Sequence, residues 1–154
     1  MNFLTVQRIL GLLLMIFSVS MLPPVGVSLY YSDGHWQPFL DSFTGMLIVG
    51  ALIWWPARKA HRELRVRDGF LIVSMFWIVL GLAGAVPLLI PDQPDLTLTD
   101  AVFEAVSGFT TTGATVLVGL DQLPISILYF RQQIQWLGGI GIVVLAVALL
   151  PMLG

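Results

Sequence analysis

Residues 108–116 read GFTTTGATV and carry no charge. What they offer chemically is oxygen. Thr110, Thr111 and Thr112, then Gly113, Ala114 and Thr115, present hydroxyls and backbone carbonyls and no acid or base. A β-branched run followed by glycine is poor helix material. Gly113 is free to take a positive φ and aim a carbonyl where other residues would not. Closely spaced oxygens of this kind suit a cation that has shed its water. Glu104 lies just upstream and has two readings, a solvated acid or a hydrogen-bonding group behind the loop, and the pattern leaves both open.

Other combinations fail on context. Ser107-Gly108 would need a membrane-embedded histidine to act as a nucleophile, and there is none. His35 and His61 fall on opposite sides of the expected topology and cannot share a metal. LGGIGIV at 137–143 has no preceding strand, so it is not a phosphate loop. Close helix packing explains Gly138, Gly139 and Gly141 better. With no cysteine in the chain, disulfides and thiolate metal sites are excluded. No cofactor, enzymatic activity or nucleic-acid partner is indicated.

The elements that position the loop are apolar. The chain has 154 residues, 57% hydrophobic and 10% charged, where a soluble domain carries roughly 25% charged. Four stretches are long enough to span lipid as helices: 9–31, 39–55, 69–90 and 132–154. Pro23-Pro24 must bend or end the first. The N-terminal stretch is too long for a signal peptide and lacks a small-residue cleavage site, so it reads as a retained helix.

Charge sets the orientation. Five of the seven basic residues, Arg58, Lys59, Arg62, Arg65 and Arg67, share one short loop. The positive-inside rule places that loop, and both termini, in the cytoplasm. Trp54 and Trp55 beside it suit interface anchors. Seven acids, Asp33, Asp41, Asp92, Asp95, Asp100, Glu104 and Asp121, then lie on or toward the outer side. They reflect topology alone or steer cations to a mouth.

Residues 91–131 are too polar to span and too apolar for an ordinary loop. Two prolines open the segment. Thr97 or Thr99 can cap a helix, with Asp100 completing an approximate capping box. DAVFEAVSG then predicts a short helix ending at Gly108, long enough to reach about halfway through a ~30 Å core. The polar LVGLDQLP brings the chain back to the same side. Such a re-entrant loop must line a protected cavity, because its backbone needs partners at membrane depth. A desolvated potassium ion is one such partner, held by carbonyl rings from four similar loops. The C-terminal end of the short helix, near Ser107 and Gly108, adds partial negative charge.

FEAVSGFTTTGATVL followed by RQQIQWLGGIGIVVLAVALLP resembles the first pore repeat of the Trk-type bacterial potassium uptake proteins, TrkH and TrkG, related to KtrB. WWPARK and RDGFLIV fit the same family. The resemblance covers the whole chain. It implies an all-α integral membrane protein of the inner membrane. Two leading helices and a basic loop occupy 1–68, and one helix–pore helix–helix repeat occupies 69–154. Within that repeat the expected bounds are a helix at 69–90, a pore helix at about 99–108, a filter loop at 109–116 and a helix at about 125–151. Four spanning helices plus one re-entrant helix result. The resemblance makes Thr111, Thr112 and Gly113 the potassium-contacting filter residues, flanked in support by Thr110, Ala114 and Thr115. Family members continue past this point with three further repeats, form homodimers and are gated by a cytosolic nucleotide-binding ring protein of the TrkA type. One repeat supplies one quarter of a filter. The chain is therefore expected to be a potassium-conducting pore module or, alternatively, a structural or regulatory membrane fragment with no conduction of its own.

Overall fold

Proline decides where the first long helix changes its winding. Helix α1 (Phe3–Ser18) passes through a 3-10 turn, Val19–Met21, into α2 (Leu22–Tyr31). Pro23 and Pro24 sit in the first turn of α2, where a missing amide donor costs little. The helix bends there rather than ending, and it resumes for ten residues. Helices α3 (Trp36–Ala57), α4 (Val66–Leu89), α5 (Leu98–Phe109) and α6 (Ile125–Leu153) follow. The computed structural model describes residues 3–60, 66–90 and 94–153, with side chains except those of 66, 67 and 144–153. His61, Arg62, Arg65, Asp92 and the side chain of Arg67 lie outside the described residues.

Among the described residues the protein is all-helical, and three helices are long and apolar enough to cross a membrane: Phe3–Tyr31, Trp36–Ala57 and Asp68–Leu89. Their outward faces are apolar as well as their inward ones. Ile16, Leu52 and Ile78 are each more than half exposed. A helix at a water interface would place polar residues there, so these faces are suited to lipid. At the end of α3 the Arg58 guanidinium lies 4.0 Å over the exposed Trp55 ring, the stacking expected of an interface anchor.

Small residues let the helices approach. A Cβ at Gly11 of α1 would lie 2.8 Å from the Gly50 carbonyl oxygen of α3, and one at Gly50 would lie 2.9 Å from that of Gly11. Helix α5 is seated between α4 and α6 in the same way. Gly81 and Gly84 of α4 make room for Val106 and Phe109, and Gly108 makes room for Ile134. Gly138 lies against the backbone of Phe109, whose oxygen would be 2.0 Å from an added Cβ. Gly139 and Gly141 differ from the sequence expectation. Their nearest neighbours would sit at 3.8 and 3.7 Å, an ordinary contact, so of the three only Gly138 is required by packing.

The core closes around the end of α5. Phe109 is almost fully buried, and its ring meets Phe17 of α1 edge to face at 5.5 Å. The leading helices are also tied to α6. Gln133 Nε2 donates to the Ser20 carbonyl at 2.6 Å, and the Ser126 amide donates to Asp33 at 2.8 Å.

Candidate functional site

Helix α5 begins and ends with defined chemistry. Thr97 is its N-cap: the threonine hydroxyl accepts the Asp100 amide at 3.2 Å while the Asp100 carboxylate accepts the Thr97 amide at 3.4 Å. This is the reciprocal capping box anticipated from the sequence. The C-terminus is more elaborate. The Thr111 amide donates to Gly108 O at 2.9 Å and the Thr112 amide donates to Ser107 O at 3.0 Å. These two bonds, 5→2 and 6→1, define a Schellman turn. Two more amides join it, Thr110 on Val106 O at 2.9 Å and Gly113 on Ser107 O at 3.3 Å.

Four successive amides, from Thr110 to Gly113, thus point back at the helix end. The carbonyl oxygens of Val106, Ser107 and Gly108 are occupied by them. Those of Thr111, Thr112 and Gly113 accept no hydrogen bond among the described residues. Residues 110–116 are exposed. Gly113 has φ +73° with no atom within 4 Å of a hypothetical Cβ, so its conformation alone calls for glycine. Thr111 has φ 58°, the left-handed position that a Schellman turn normally gives to glycine. Its hydroxyl donates to Thr110 O at 2.7 Å, and the Thr110 and Thr112 hydroxyls are paired at 2.9 Å.

Beyond Gly113 the chain runs back along the helix it has just left. The Ser107 hydroxyl donates to Ala114 O at 2.6 Å. One turn earlier, Glu104 takes three donors on Oε1: the Thr115 hydroxyl, the Val116 amide at 2.6 Å and the Leu117 amide at 3.3 Å. Its other oxygen accepts Arg131 Nε of α6 at 3.2 Å. Both side chains are buried, and no water-sized volume remains between Glu104, Gly108, Ala114, Arg131, Ile134 and Gln135.

Helix, reversal and return are built from bonds between residues close in the chain. The family described as TrkH, cation transport protein, matches residues 35–154. The chain belongs to the TrkH family. Over 154 residues it is 56% identical to the Trk system potassium uptake protein TrkH of Vibrio parahaemolyticus and 54% identical to that of Escherichia coli (strain K12). Each alignment covers all of this chain and 32% of the relative. The Trk system potassium uptake protein TrkG of the same Escherichia coli strain is 44% identical over 149 residues, 97% of this chain and 31% of the relative. The crystal structure of the potassium transporter TrkH from Vibrio parahaemolyticus matches with a TM-score of 0.94 at 56% identity, over 98% of this chain and 32% of that one. The chain therefore spans about a third of the length of these relatives. The family is one of multi-pass membrane transporters, not enzymes.

Within this TrkH-family segment the site residues read from sequence fall together. Thr110 to Thr115 form one continuous turn and return strand against α5. The structure also resolves what the pattern left open for Glu104, which is buried and bonds behind the loop. Arg131 carries no motif that marks it in the sequence. Its partnership across 27 residues follows from how α5 and α6 pack, and a lone arginine near the start of an apolar helix was the one available signal. Ser107, raised as a nucleophile, donates to Ala114 O and is buried. His35 closes its own turn, with Nδ1 2.8 Å from Asp33 O. LGGIGIV is helical throughout.

Proposed function

We propose that this segment forms one quarter of a potassium pathway, with Thr111, Thr112 and Gly113 lining a selectivity filter. The observation that carries this is the set of three carbonyl oxygens left without donors once four amides have turned back onto α5. Oxygens of this kind at membrane depth require a partner, and a dehydrated cation supplies one. Thr110, Ala114 and Thr115 support the loop from either side. Helix α5, with 12 residues, is about 18 Å long, enough to carry the turn past the middle of a ~30 Å core. Its carboxyl end lends a favourable dipole to a cation, although the carbonyls of Val106, Ser107 and Gly108 are already taken by backbone amides.

The finer architecture belongs to the same reading. Helix α6 is the fourth spanning helix, α5 with its return strand is the re-entrant pore loop, and both termini face the cytoplasm of a bacterial inner membrane. The transported substrate is potassium, as the names of the relatives have it. Because the segment covers 32% of those relatives, the remaining filter, a homodimeric state and a TrkA-type regulator are assigned to the whole assembly.

Gly113→Ser in the full encoded protein tests the filter. A side chain at that φ costs about 1–2 kcal/mol, and the peptide relaxes by rotating a carbonyl away. About 1.4 kcal/mol is already tenfold, so potassium over sodium discrimination falls about tenfold while expression stays normal. Thr112→Val keeps the carbonyl and changes discrimination far less. Uptake of both ions in a potassium-uptake-deficient host measures this. Full selectivity in Gly113→Ser would refute the assignment.

A further inference from the structure

Glu104 and Arg131 make no hydrogen bond to residues 110–113 among the described residues, yet in sequence they bracket them. The loop is anchored to α5 at two levels, one helical turn apart. At the nearer level, Ser107 O holds the amides of Thr112 and Gly113, and the Ser107 hydroxyl holds Ala114 O. At the farther level, one carboxylate oxygen of Glu104 gathers the Thr115 hydroxyl and the amides of Val116 and Leu117. The nearer anchor is internal to α5 and its loop. The farther one is not, because the other Glu104 oxygen is held by Arg131 on α6. Both side chains of this ion pair are buried.

We propose that the Glu104–Arg131 pair is a positioning element that sets the height of the Thr112 and Gly113 carbonyls relative to α6, and so tunes discrimination between monovalent cations. The inference rests on the filter reading above and assigns it a determinant outside the filter. Geometry argues for more than fold stabilisation. A pair serving stability alone would need only the two charged groups. Here the same carboxylate also terminates three donors from consecutive residues of the return strand, so any shift of Glu104 moves residues 115–117 as a unit. Only Ala114 separates Gly113 from that unit. Every group around the carboxylate is a donor, so an ionised carboxylate fits and a carboxamide does not. Glu104→Gln would turn one N–H donor toward another. Arginine is likewise specific, since its rigid fork fixes a direction that a flexible lysine ammonium does not.

The test is the ratio of potassium to sodium uptake by the full encoded protein in liposomes, read beside the maximal potassium rate per folded transporter. Glu104→Gln is expected to lower the ratio about tenfold, in keeping with loss of a charge-assisted hydrogen-bond set. Arg131→Lys lowers it less. Thr115→Val, which removes one donor and leaves the ion pair intact, lowers it about threefold. The maximal rate per folded transporter changes less than the ratio in each case. A purely structural role would instead reduce the amount of folded protein, which leaves the ratio unchanged. If Glu104→Gln does not fold, Thr115→Val and Arg131→Lys decide. A ratio within a factor of about two of the parent in every folded variant overturns the assignment. Gly113→Ser, run alongside, separates the two claims. If it loses selectivity and the pair variants do not, only the positioning role falls. If it keeps selectivity, the filter reading falls and this inference with it.

Discussion

Thr111 and Gly113 share a left-handed backbone for different reasons. At Gly113 no neighbour is within reach of a side chain, so glycine answers to φ alone. At Thr111 the same region carries a β-branched side chain, at a cost of about 1–2 kcal/mol. The Schellman bonds at 2.9 and 3.0 Å and the hydroxyl bond to Thr110 O offset it, at about 1 kcal/mol each. Asp33 shows the opposite economy, an acid held by many donors. Burial raises its pKa, but the Ser28 hydroxyl and the Ser126 and His35 amides outweigh this and lower it from 3.8 to about 2. A carboxyl lowered on folding stabilises the fold above its unfolded value, and the contribution disappears as pH falls through the folded one. Asp33→Asn should therefore be less thermally stable than the parent at neutral pH. The gap should narrow as pH drops from 3.8 toward 2. A melting-temperature difference that stays constant across that window would show that the carboxylate charge is not what ties the α2–α3 turn to α6.

At the scale of elements, the seat of α5 is set by which glycines face it. Gly138 accepts the Phe109 backbone and Gly139, its neighbour, faces open contact. A methyl at Gly138 meets the Phe109 backbone oxygen at 2.0 Å, which no rotamer relieves. Gly138→Ala should destabilise the full encoded protein by about 3 kcal/mol or more and displace the loop with the helix end. Gly139→Ala should be neutral or stabilising by up to about 1 kcal/mol, through helix propensity. Thermal unfolding in detergent compares the two. Equal melting temperatures would mean that α5 and α6 do not pack as described. Gly108 reads differently in sequence and in structure. It looks like a helix terminator, but it lies inside α5, where its lack of a side chain makes room for Ile134.

At the scale of the whole molecule, the lipid-facing surfaces and the orientation are one question. Exposed apolar faces on α1, α3 and α4 suit a bilayer around them, and by the proposed orientation the basic loop beside Trp55 and Arg58 faces the cytoplasm. A cysteine at Lys59 should react with a membrane-impermeant maleimide only from the cytoplasmic face, and one at Asp121 only from the opposite face. Labelling of both from one face would break the proposed parity of four spanning helices and one re-entrant loop.

The amino-acid sequence by itself determined where the helices lie and how α5 begins. Hydrophobic length, proline position and the Thr97–Asp100 spacing act locally, so they are legible along the chain. It also marked residues 110–115 as poor helix material and Gly113 as free to take a positive φ, which the structure shows it does, because branching and backbone freedom are local properties. The left-handed Thr111 is a local feature that the sequence did not show, because no glycine marks the position and only the observed amide–carbonyl pairing reveals it. Only the tertiary structure decided the rest. That Glu104 pairs with Arg131, and that Gly138 rather than Gly139 or Gly141 is indispensable, depends on the rotation of α6 about its own axis against α5. An apolar helix flanked by apolar helices does not encode that rotation in its hydrophobic pattern, because every face is equally oily. It is set instead by side-chain volume at the contact, and volume acts between residues far apart in the chain.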